Sequence, residues 1–261
     1  MSLFKKFAAM TLALTMAFSF AACGGSEEAP ADDAAVEGKT YIIATDTTFA
    51  PFEFQNEAGE YVGIDMDLLA AIAEDQGFQY ELQYLGFDAA VQALESGQAD
   101  GVIAGMSITE ERQQKFDFSE AYFDSGVVMG IAADNEEIKS YEDLAGKKVA
   151  VKRGTEGMDF AESIKDQYGF ETVVFDTSDA MCMDVKVGNS VACFEDYPVM
   201  GYGIVQGNGL KMVTEKEQGS SYGFAVGKEQ NAELLEMFNT GLANLKESGK
   251  YQEILDTYIQ E

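Results

Sequence analysis

Short β-rich runs alternate with helical segments along most of this chain, and this alternation constrains the fold more than any other feature. The strand-like runs are YIIAT (41–45), GVIA (101–104), KVAVK (148–152) and SVACF (190–194). Apolar residues at helical spacing predict helices at 67–76, 88–96, 156–167, 178–187, 197–206 and 231–259, the last with a break at Gly249. Such alternation predicts an α/β fold with mostly parallel sheets and helices on both faces.

Composition and charge exclude several classes of protein. The 261 residues are 46% hydrophobic, enough for one large domain or two smaller ones with their own cores. A net charge of −29 repels phosphate backbones, so nucleic acid is excluded as a partner. The chain has no histidine, which rules out His-dependent catalytic triads and His-ligated zinc. We expect neither a cofactor nor a metal centre.

The first residues have the pattern of an export signal. Lys5 and Lys6 precede an uncharged apolar run, Phe7 to Ala22, that is shorter than the roughly 20 residues a spanning helix needs. Small residues directly before Cys23 resemble the lipobox of bacterial lipoproteins, although Phe20 stands where Leu is usual. We therefore predict that 1–22 is a lipoprotein signal peptide and that Cys23 is lipidated. The alternative is an ordinary secretory signal in which Cys23 has no role.

A flexible acidic tether is predicted next, at 23–39. Its sequence GGSEEAPADDAAVEG (24–38) has five acids and no base. A lipid anchor followed by a tether predicts an extracytoplasmic protein on the outer face of the cell membrane, or in the periplasm if the cell has an outer membrane. In that oxidising compartment Cys182 and Cys193 could pair, or could remain two buried thiols. The sequence leaves both possibilities open.

Polar and aromatic residues, and one glycine, follow the predicted strands. They lie at the carboxyl ends of the strands, where open α/β sheets bind their ligands. They are Asp46 and Phe49 after the first strand, Gly105, Ser107 and Arg112 after the second, Thr155 after the third, and Glu195 and Asp196 after the fourth. A guanidinium and a helix N-terminus suit an α-carboxylate, and a carboxylate suits an α-ammonium. Together they favour a zwitterionic amino acid as ligand.

Each of these residues also has a purely structural interpretation. Arg112 could be a surface residue that pairs with Glu110 or Asp117. Asp196 could cap the helix that begins at Tyr197, and Phe49 could belong to the core. The regular placement of complementary groups after several strands favours the binding site over these separate explanations.

Five segments carry a resemblance to a known family. They are ATDTTFAPFEF (44–54), VGIDMDLLAAIA (62–73), DGVIAGMSITEERQQKFDFSEAYF (100–123), KVAVKRGT (148–155) and EDYP (195–198). From about Lys39 to the C-terminus the chain resembles the extracellular solute-binding proteins of ABC importers for polar amino acids (solute-binding protein family 3). Among members of that family it is most similar to glutamine-binding proteins.

The resemblance implies a role for each site residue at the ligand's α-carbon end. Arg112 would bind the α-carboxylate with help from Ser107 and Thr155. Asp196 would accept from the α-ammonium, with the backbone of Ala104 and Gly105 nearby.

At the other end of the ligand, the resemblance implies that Phe49 and Phe87 enclose the aliphatic stem. Asp46 would accept from the side-chain amide and Lys152 would face its carbonyl oxygen. The Lys152 ammonium disfavours basic ligands, which makes glutamine the first expectation and leaves glutamate or another polar amino acid open. Glu195 stands where glutamine binders often have histidine, and its role is not predicted.

The family fold implied is the two-lobed, type II periplasmic-binding-protein-like fold. We predict one lobe at 40–121 plus 224–261 and a second at 126–219, joined by crossings near 121–126 and 220–224. The protein would be a monomer that closes on its ligand and delivers it to an ABC transporter permease. Two alternatives are an enzyme like the cyclohexadienyl dehydratases and an amino-acid sensor for a separate receptor. We expect no enzyme activity.

The signal peptide generates the first test. Cys23→Ser removes the thiol that lipidation needs, so the variant should leave the membrane fraction and appear in the soluble extracytoplasmic fraction of fractionated cells. A variant that stays with the membranes would exclude an anchor at Cys23.

Overall fold

The structure is a computed structural model that describes residues 38–259. The predicted signal peptide, the lipidation site at Cys23 and nearly all of the predicted tether lie outside these residues. No helix between residues 38 and 259 is long and apolar enough to cross a membrane.

Strands and helices follow the predicted alternation, with further short strands. The strands are β1 (Thr40–Thr45), β2 (Phe54–Gln55), β3 (Tyr61–Val62), β4 (Gln79–Tyr84), β5 (Gly101–Val102), β6 (Phe116–Phe118), β7 (Phe123–Ala132), β8 (Lys148–Lys152), β9 (Glu171–Phe175), β10 (Ala192–Asp196), β11 (Leu210–Met212), β12 (Glu217–Tyr222) and β13 (Ala225–Gly227). The helices are α1 (Ile64–Gln76), α2 (Phe87–Glu95), α3 (Glu110–Gln113), α4 (Glu156–Tyr168), α5 (Ser178–Lys186), α6 (Tyr197–Val205), α7 (Ala232–Ser248) and α8 (Lys250–Tyr258).

The first sheet has the strand order β4-β1-β5-β13-β6. Strand β1 runs parallel to β4 and β5, whereas β13 is antiparallel to β5 and β6. Helices α1, α7 and α8 pack together on one side, and α2 packs against β1 and β5. A cluster of apolar residues, including Ile43, Leu69 and Phe238, forms the core between α1, α7 and the sheet.

The second sheet has the order β11-β7-β10-β8-β9, with β12 also paired to β7. Strands β10, β8 and β9 are parallel, and β7 is antiparallel to β10, β11 and β12. The α/β class predicted from the sequence is therefore confirmed, with sheets that are mixed. Each has three parallel strands at one end, built from βα units, and antiparallel strands at the other.

Two segments connect the sheets, and they run side by side. The chain passes from β6 into β7 and returns from β12 into β13. Strands β7 and β12 pair antiparallel there, with Phe123 opposite Tyr222 and Ser125 opposite Ser220. These segments coincide with the two crossings predicted near 121–126 and 220–224. After the return, α7 and α8 pack on the first sheet's side of the molecule.

Both cysteines of the described region are free thiols. Cys193, on β10, is buried in an apolar cluster that includes Met181 and Met200. Cys182, on α5, packs against this cluster and remains partly exposed. Their mutual hydrogen bond and burial raise the pKa of the Cys193 thiol well above its usual value. Of the two possibilities left open by the sequence, the structure contains the unbridged pair.

Gly63 shows why the segment VGIDMDLL folds as it does. It precedes α1 with φ 137°, and a Cβ there would lie 2.1 Å from the carbonyl oxygen of Phe52. This close approach lets the first amides of α1 donate to the preceding turn, from Ile64 to Pro51 (2.9 Å) and from Asp65 to Phe52 (3.0 Å). Only glycine permits both the backbone angle and the contact.

Gly63→Ala should therefore lower the free energy of unfolding by about 2–4 kcal/mol, because the backbone is strained and the methyl group collides with Phe52. Gly59→Ala is the matched control: it also has positive φ (80°) but no atom within 4 Å of a Cβ. It should cost only about 1 kcal/mol. Urea unfolding of both variants measures the difference, and equal losses would show that the contact with Phe52 contributes nothing.

Candidate functional site

One small pocket lies where strand ends of the two sheets face each other. Its cavity volume is about 10 Å³, and it is lined by Phe49, Phe87, Gly105, Ser107, Arg112, Lys152, Thr155, Glu156 and Asp196. Eight of the ten residues predicted for the ligand site are therefore brought together. The other two lie directly behind the lining, Asp46 against Lys152 and Ala104 in the core next to Gly105.

Arg112 reaches from α3 across the space between the sheets. Thr109 caps α3 by accepting from the Arg112 amide (3.2 Å), which fixes the start of the side chain. The guanidinium donates to the carbonyl of Ser107 (2.8 Å). It also donates to the carbonyl of Gly154 (3.0 Å), in the turn that follows β8 of the opposite sheet. Its Cζ lies 5.3 Å from the centre of the Phe87 ring.

The surface interpretation of Arg112 is wrong. Asp117 pairs with Lys228 (2.7 Å), and within residues 38–259 the Arg112 guanidinium forms no ion pair. Burial lowers the pKa of Arg112, and nearby carboxylates, Asp159 first, oppose that effect. A guanidinium that is half-buried without a counter-ion is suited to bind an anionic group.

Lys152 and Asp46 form a buried ion pair that joins the two sheets. Lys152 ends β8 and Asp46 follows β1, and their side chains are only 2% and 1% exposed. Asp46 Oδ1 accepts from the Thr47 amide (2.6 Å), while Oδ2 accepts from Lys152 Nζ. Burial alone would lower the pKa of Lys152, but Asp46 and Glu195 outweigh it and raise that pKa above its usual value.

Two aromatic rings flank the Lys152 ammonium. The Phe49 ring centre lies 4.7 Å from Lys152 Nζ and the Phe87 ring centre 5.8 Å from it. Phe87 is the first residue of α2, which begins one residue earlier than predicted. Gly105, with φ 51°, brings its backbone against Phe49, where a Cβ would lie 2.3 Å from the ring. The rings therefore enclose the end of the pocket nearest Lys152.

Asp196 lies at the other end of the pocket, in contact with a crossing segment. Its Oδ2 accepts from the Tyr222 hydroxyl and from Ser125 Oγ (3.4 Å). Its side chain makes no cap to α6, so the interpretation of Asp196 as a helix cap is wrong. Burial, followed by the charge of Glu195, raises the pKa of Asp196 to about 7. No local pattern marks Tyr222, which lies 26 residues from Asp196 along the chain.

Two further carboxylates approach the site. Glu195 is buried, its Oε1 accepts from the Asp196 amide (2.9 Å), and burial raises its pKa although Lys152 opposes this. Glu156 begins α4, lines the pocket and has a buried Oε2 without a hydrogen-bond partner among the described residues. Glu156 is not among the predicted ligand-site residues, although its position directly after Thr155 at a helix start could have indicated it.

The charge balance of the site is acidic. Four carboxylates, Asp46, Glu156, Glu195 and Asp196, face two cations, Arg112 and Lys152. A solute with at least one positive group reduces this excess. No cluster of three or more potential metal ligands occurs among the residues that the structure describes.

The fold and the sequence place the chain in a known family. Residues 41–261 match "Bacterial extracellular solute-binding proteins, family 3", and the chain belongs to this family. Its relatives are solute-binding proteins of transport systems rather than enzymes. The type II periplasmic-binding-protein fold is thereby confirmed.

Three proteins illustrate the similarity. The "ABC transporter arginine-binding protein 1" of Escherichia coli K12 is 30% identical over 220 residues, which cover 82% of this chain and 88% of that protein. "An ancestral arginine-binding protein bound to glutamine" is 38% identical, with coverage of 85% and 98% and a TM-score of 0.78. Lactococcus lactis "GlnP substrate binding domain 2 (SBD2) in open conformation" is 41% identical, with coverage of 86% and 97% and a TM-score of 0.60. Other relatives are named for arginine or histidine.

The Asp196–Tyr222 contact generates a pH prediction. The Tyr222 hydroxyl stabilises the ionised form of Asp196, so Tyr222→Phe should raise the Asp196 pKa further above 7. The carboxyl carbon of Asp196, followed by NMR from pH 5 to pH 9, measures this shift. Tyr202→Phe, on α6, is the control and should leave the titration unchanged. An Asp196 pKa equal in Tyr222→Phe and in the unmodified protein would exclude this role for the hydroxyl.

Proposed function

We propose that this protein is an extracytoplasmic substrate-binding lipoprotein that captures a polar amino acid, glutamine first, and delivers it to an ABC transporter permease. The observation that carries the proposal is one pocket with a guanidinium and a carboxylate among its lining residues. The cavity volume of about 10 Å³ leaves room for about one water. An amino acid would therefore enter the site only with the two sheets further apart than they are here.

The α-carbon end of the ligand would lie between Arg112 and Asp196. Arg112 has no counter-ion within the described region and can take a carboxylate in bidentate geometry. Thr155 and the N-terminus of α4 stand beside it, since Thr155 caps that helix. Asp196, when ionised, accepts from the ammonium. Each such charge-assisted hydrogen bond contributes about 1.5–3 kcal/mol.

The side-chain end would meet the Lys152–Asp46 pair between the rings of Phe49 and Phe87. A carboxamide offers one donor and one acceptor, so it can donate to Asp46 and accept from Lys152 without leaving either charge unpaired. A second carboxylate would be opposed by Asp46, and a guanidinium or ammonium by Lys152. This argument favours glutamine over glutamate and over basic amino acids.

Two observations make arginine the ligand to test against glutamine. Relatives are named for arginine or histidine, and the acidic excess of the site attracts a cation. The ancestral arginine-binding protein described with bound glutamine suggests that one scaffold accommodates both solutes. The position of Lys152 beside both aromatic rings supports the amide.

Closure of two lobes, at 40–121 plus 224–261 and 126–219, would complete the site. Two contacts join the sheets: Arg112 donates to Gly154, and Lys152 donates to Asp46. The chain also superposes better on the glutamine-bound ancestral protein (TM-score 0.78) than on the open GlnP domain (0.60), despite lower identity to the former. Both observations support a closed arrangement here, which a ligand that touches both lobes would favour.

The remaining parts of the proposal concern location and partners. A lipid on Cys23 would hold a monomer on the outer face of the membrane, close to its permease. The family description as extracellular solute-binding proteins supports an extracytoplasmic location, and relatives named as parts of ABC transporters support the permease as partner.

A thermal-shift screen of residues 38–261 against the twenty amino acids tests the ligand. Glutamine should give the largest rise in Tm, since a ligand stabilises the state it binds, and arginine, histidine and glutamate should give smaller rises. Calorimetry then measures the Kd of the best ligands. A larger rise with arginine than with glutamine would overturn the glutamine assignment, and no rise with any amino acid would overturn the function.

Within the same experiment, Arg112→Ala should weaken glutamine binding by at least about ten-fold, because one charge-assisted bond is worth about 1.5–3 kcal/mol. Arg153→Ala is the matched control: Arg153 is exposed and pairs with Asp176 (3.0 Å), so its loss should leave the Kd unchanged. Equal affinity in the two variants would exclude Arg112 as the carboxylate-binding group.

A further inference from the structure

Two buried carboxyl groups lie beneath the pocket and are not explained by the ligand site. Glu53, in the turn before β2, and Asp65, in the first turn of α1, are both fully buried. Neither oxygen of Glu53 nor Oδ1 of Asp65 receives a hydrogen bond from a donor among the described residues. The two groups are nevertheless neighbours: the Asp65 amide donates to the carbonyl of Phe52 (3.0 Å), the residue before Glu53, and the charge of Asp65 acts on Glu53.

Two carboxylates in contact and out of water repel each other and leave their oxygens unsatisfied. A single proton between them removes both problems, because one group then donates and the other accepts. The remaining charged groups that face Glu53 are Asp46 and Lys152, and Lys152 is already paired with Asp46. Glu53 therefore has no cation of its own to keep it ionised.

The direction of the pKa shifts agrees with this geometry. Burial, then the charge of Asp65, raises the pKa of Glu53 well above its usual value, whereas burial raises that of Asp65 only to about 6. Asp65 is held in its ionised form by hydrogen bonds that it accepts at Oδ2, from the Gly105 amide (2.8 Å) and from the Tyr122 hydroxyl (2.9 Å). The proton accordingly belongs on Glu53, which donates it to Asp65.

Each carboxyl group is tied to a different part of the pocket. The backbone of Glu53 pairs with that of Phe49 in both directions, from the Phe49 amide (2.8 Å) and from the Glu53 amide (3.3 Å). Asp65 holds the Gly105 amide, and the Gly105 backbone packs on the Phe49 ring. A hydrogen bond between the two carboxyl groups would therefore join the Phe49 turn to the Gly105 loop.

We propose that Glu53 and Asp65 share one proton, and that this proton holds Phe49 and Gly105 in position for ligand contact. Glu53 and Asp65 are positioning residues, because neither of them lines the pocket. The proton and the positioning can be measured without any ligand; only the effect on affinity rests on the proposed function.

Infrared difference spectra between the unmodified protein and Glu53→Gln test the shared proton. At neutral pH the unmodified protein should show the C=O band of a buried protonated carboxyl that Glu53→Gln lacks. Glu57→Gln, an exposed change in the turn between β2 and β3, is the matched control and should keep the band. A difference spectrum without this band would overturn the proposal, because the bands of other buried carboxyls, such as Asp196, are common to both proteins and cancel.

The pH dependence of stability gives an independent measure. A carboxyl group with a raised pKa stabilises the folded protein at low pH, and that contribution is lost as pH rises through the folded-state pKa. Glu53→Gln keeps a donor to Asp65 but cannot ionise. Its Tm relative to the unmodified protein should therefore rise between pH 5 and pH 9, by at least about 3 °C. A constant difference across this range would contradict the shared proton.

Amide hydrogen exchange tests positioning. Glu53→Leu removes the donor, so the amides of Gly105 and Phe49 should exchange faster, whereas Glu53→Gln should leave them protected. With L-glutamine as the probe at pH 6, Glu53→Leu should raise the Kd by about ten-fold or more and Glu53→Gln by less than about two-fold. If Glu53→Leu fails to fold, Asp65→Asn replaces it, because that variant has no carboxyl pair. Lower protection of Gly105 and Phe49 at pH 9 than at pH 6, with each exchange rate divided by the intrinsic rate at the same pH, would contradict the proposal.

If the unmodified protein binds neither L-glutamine nor L-arginine, the proposed function fails while the infrared and exchange results still decide this inference. Equal protection of Gly105 in Glu53→Leu and in the unmodified protein would limit the pair to stability and overturn its positioning role.

Discussion

The ion pair between Lys152 and Asp46 determines how the rest of the site is arranged. Removing both charges from water is costly, and the cost is met only when each charge has good partners. Here Asp46 accepts from Lys152 and from the Thr47 amide, and Lys152 also lies against the rings of Phe49 and Phe87. Because the two charges come from different sheets, the pair is buried only when the sheets face each other at short distance.

The crossings take part in the site as well as connecting the sheets. Tyr222, at the end of β12, donates to Asp196, and Tyr122, just before β7, donates to Asp65. Each crossing thus supplies one tyrosine to one buried carboxylate, and each of those carboxylates either lines the pocket or holds a residue that does. A change in the backbone of the crossings would therefore move side chains at both ends of the pocket. This arrangement gives a physical route by which ligand contact and the relative position of the sheets can depend on one another.

The sequence predicted the parts of the site that obey a local rule. Asp46, Arg112 and Asp196 could be selected because the ends of parallel strands converge at one edge of a sheet, whereas Lys152 followed from the resemblance to the family. The break between α7 and α8 followed from Gly249, which has φ 82°. The alternation of strands and helices was enough to predict the α/β class.

The parts that were missed depend on contacts between distant residues or on weak local patterns. Tyr222 reaches Asp196 only because β12 pairs with β7, and the sequence EQGSSY of β12 lacks the β-branched residues that mark strands. Strands β6, β11 and β13 have three residues each, too few for periodicity to be read. Glu53 and Asp65 look like ordinary polar positions in the sequence, and only their burial reveals the problem of two adjacent acids.

Pairing of β7 with β12 has a mechanical consequence. Two separate linkers would allow the halves of the molecule to slide, twist and bend independently. Two linkers that are hydrogen-bonded into a ribbon, with Asp124 opposite Ser221 and Phe123 opposite Tyr222, resist sliding because it would break the ladder. Rotation of the two halves about one axis remains easy. The molecule therefore has close to a single degree of freedom for large motion. One angle should describe every conformation between its extremes.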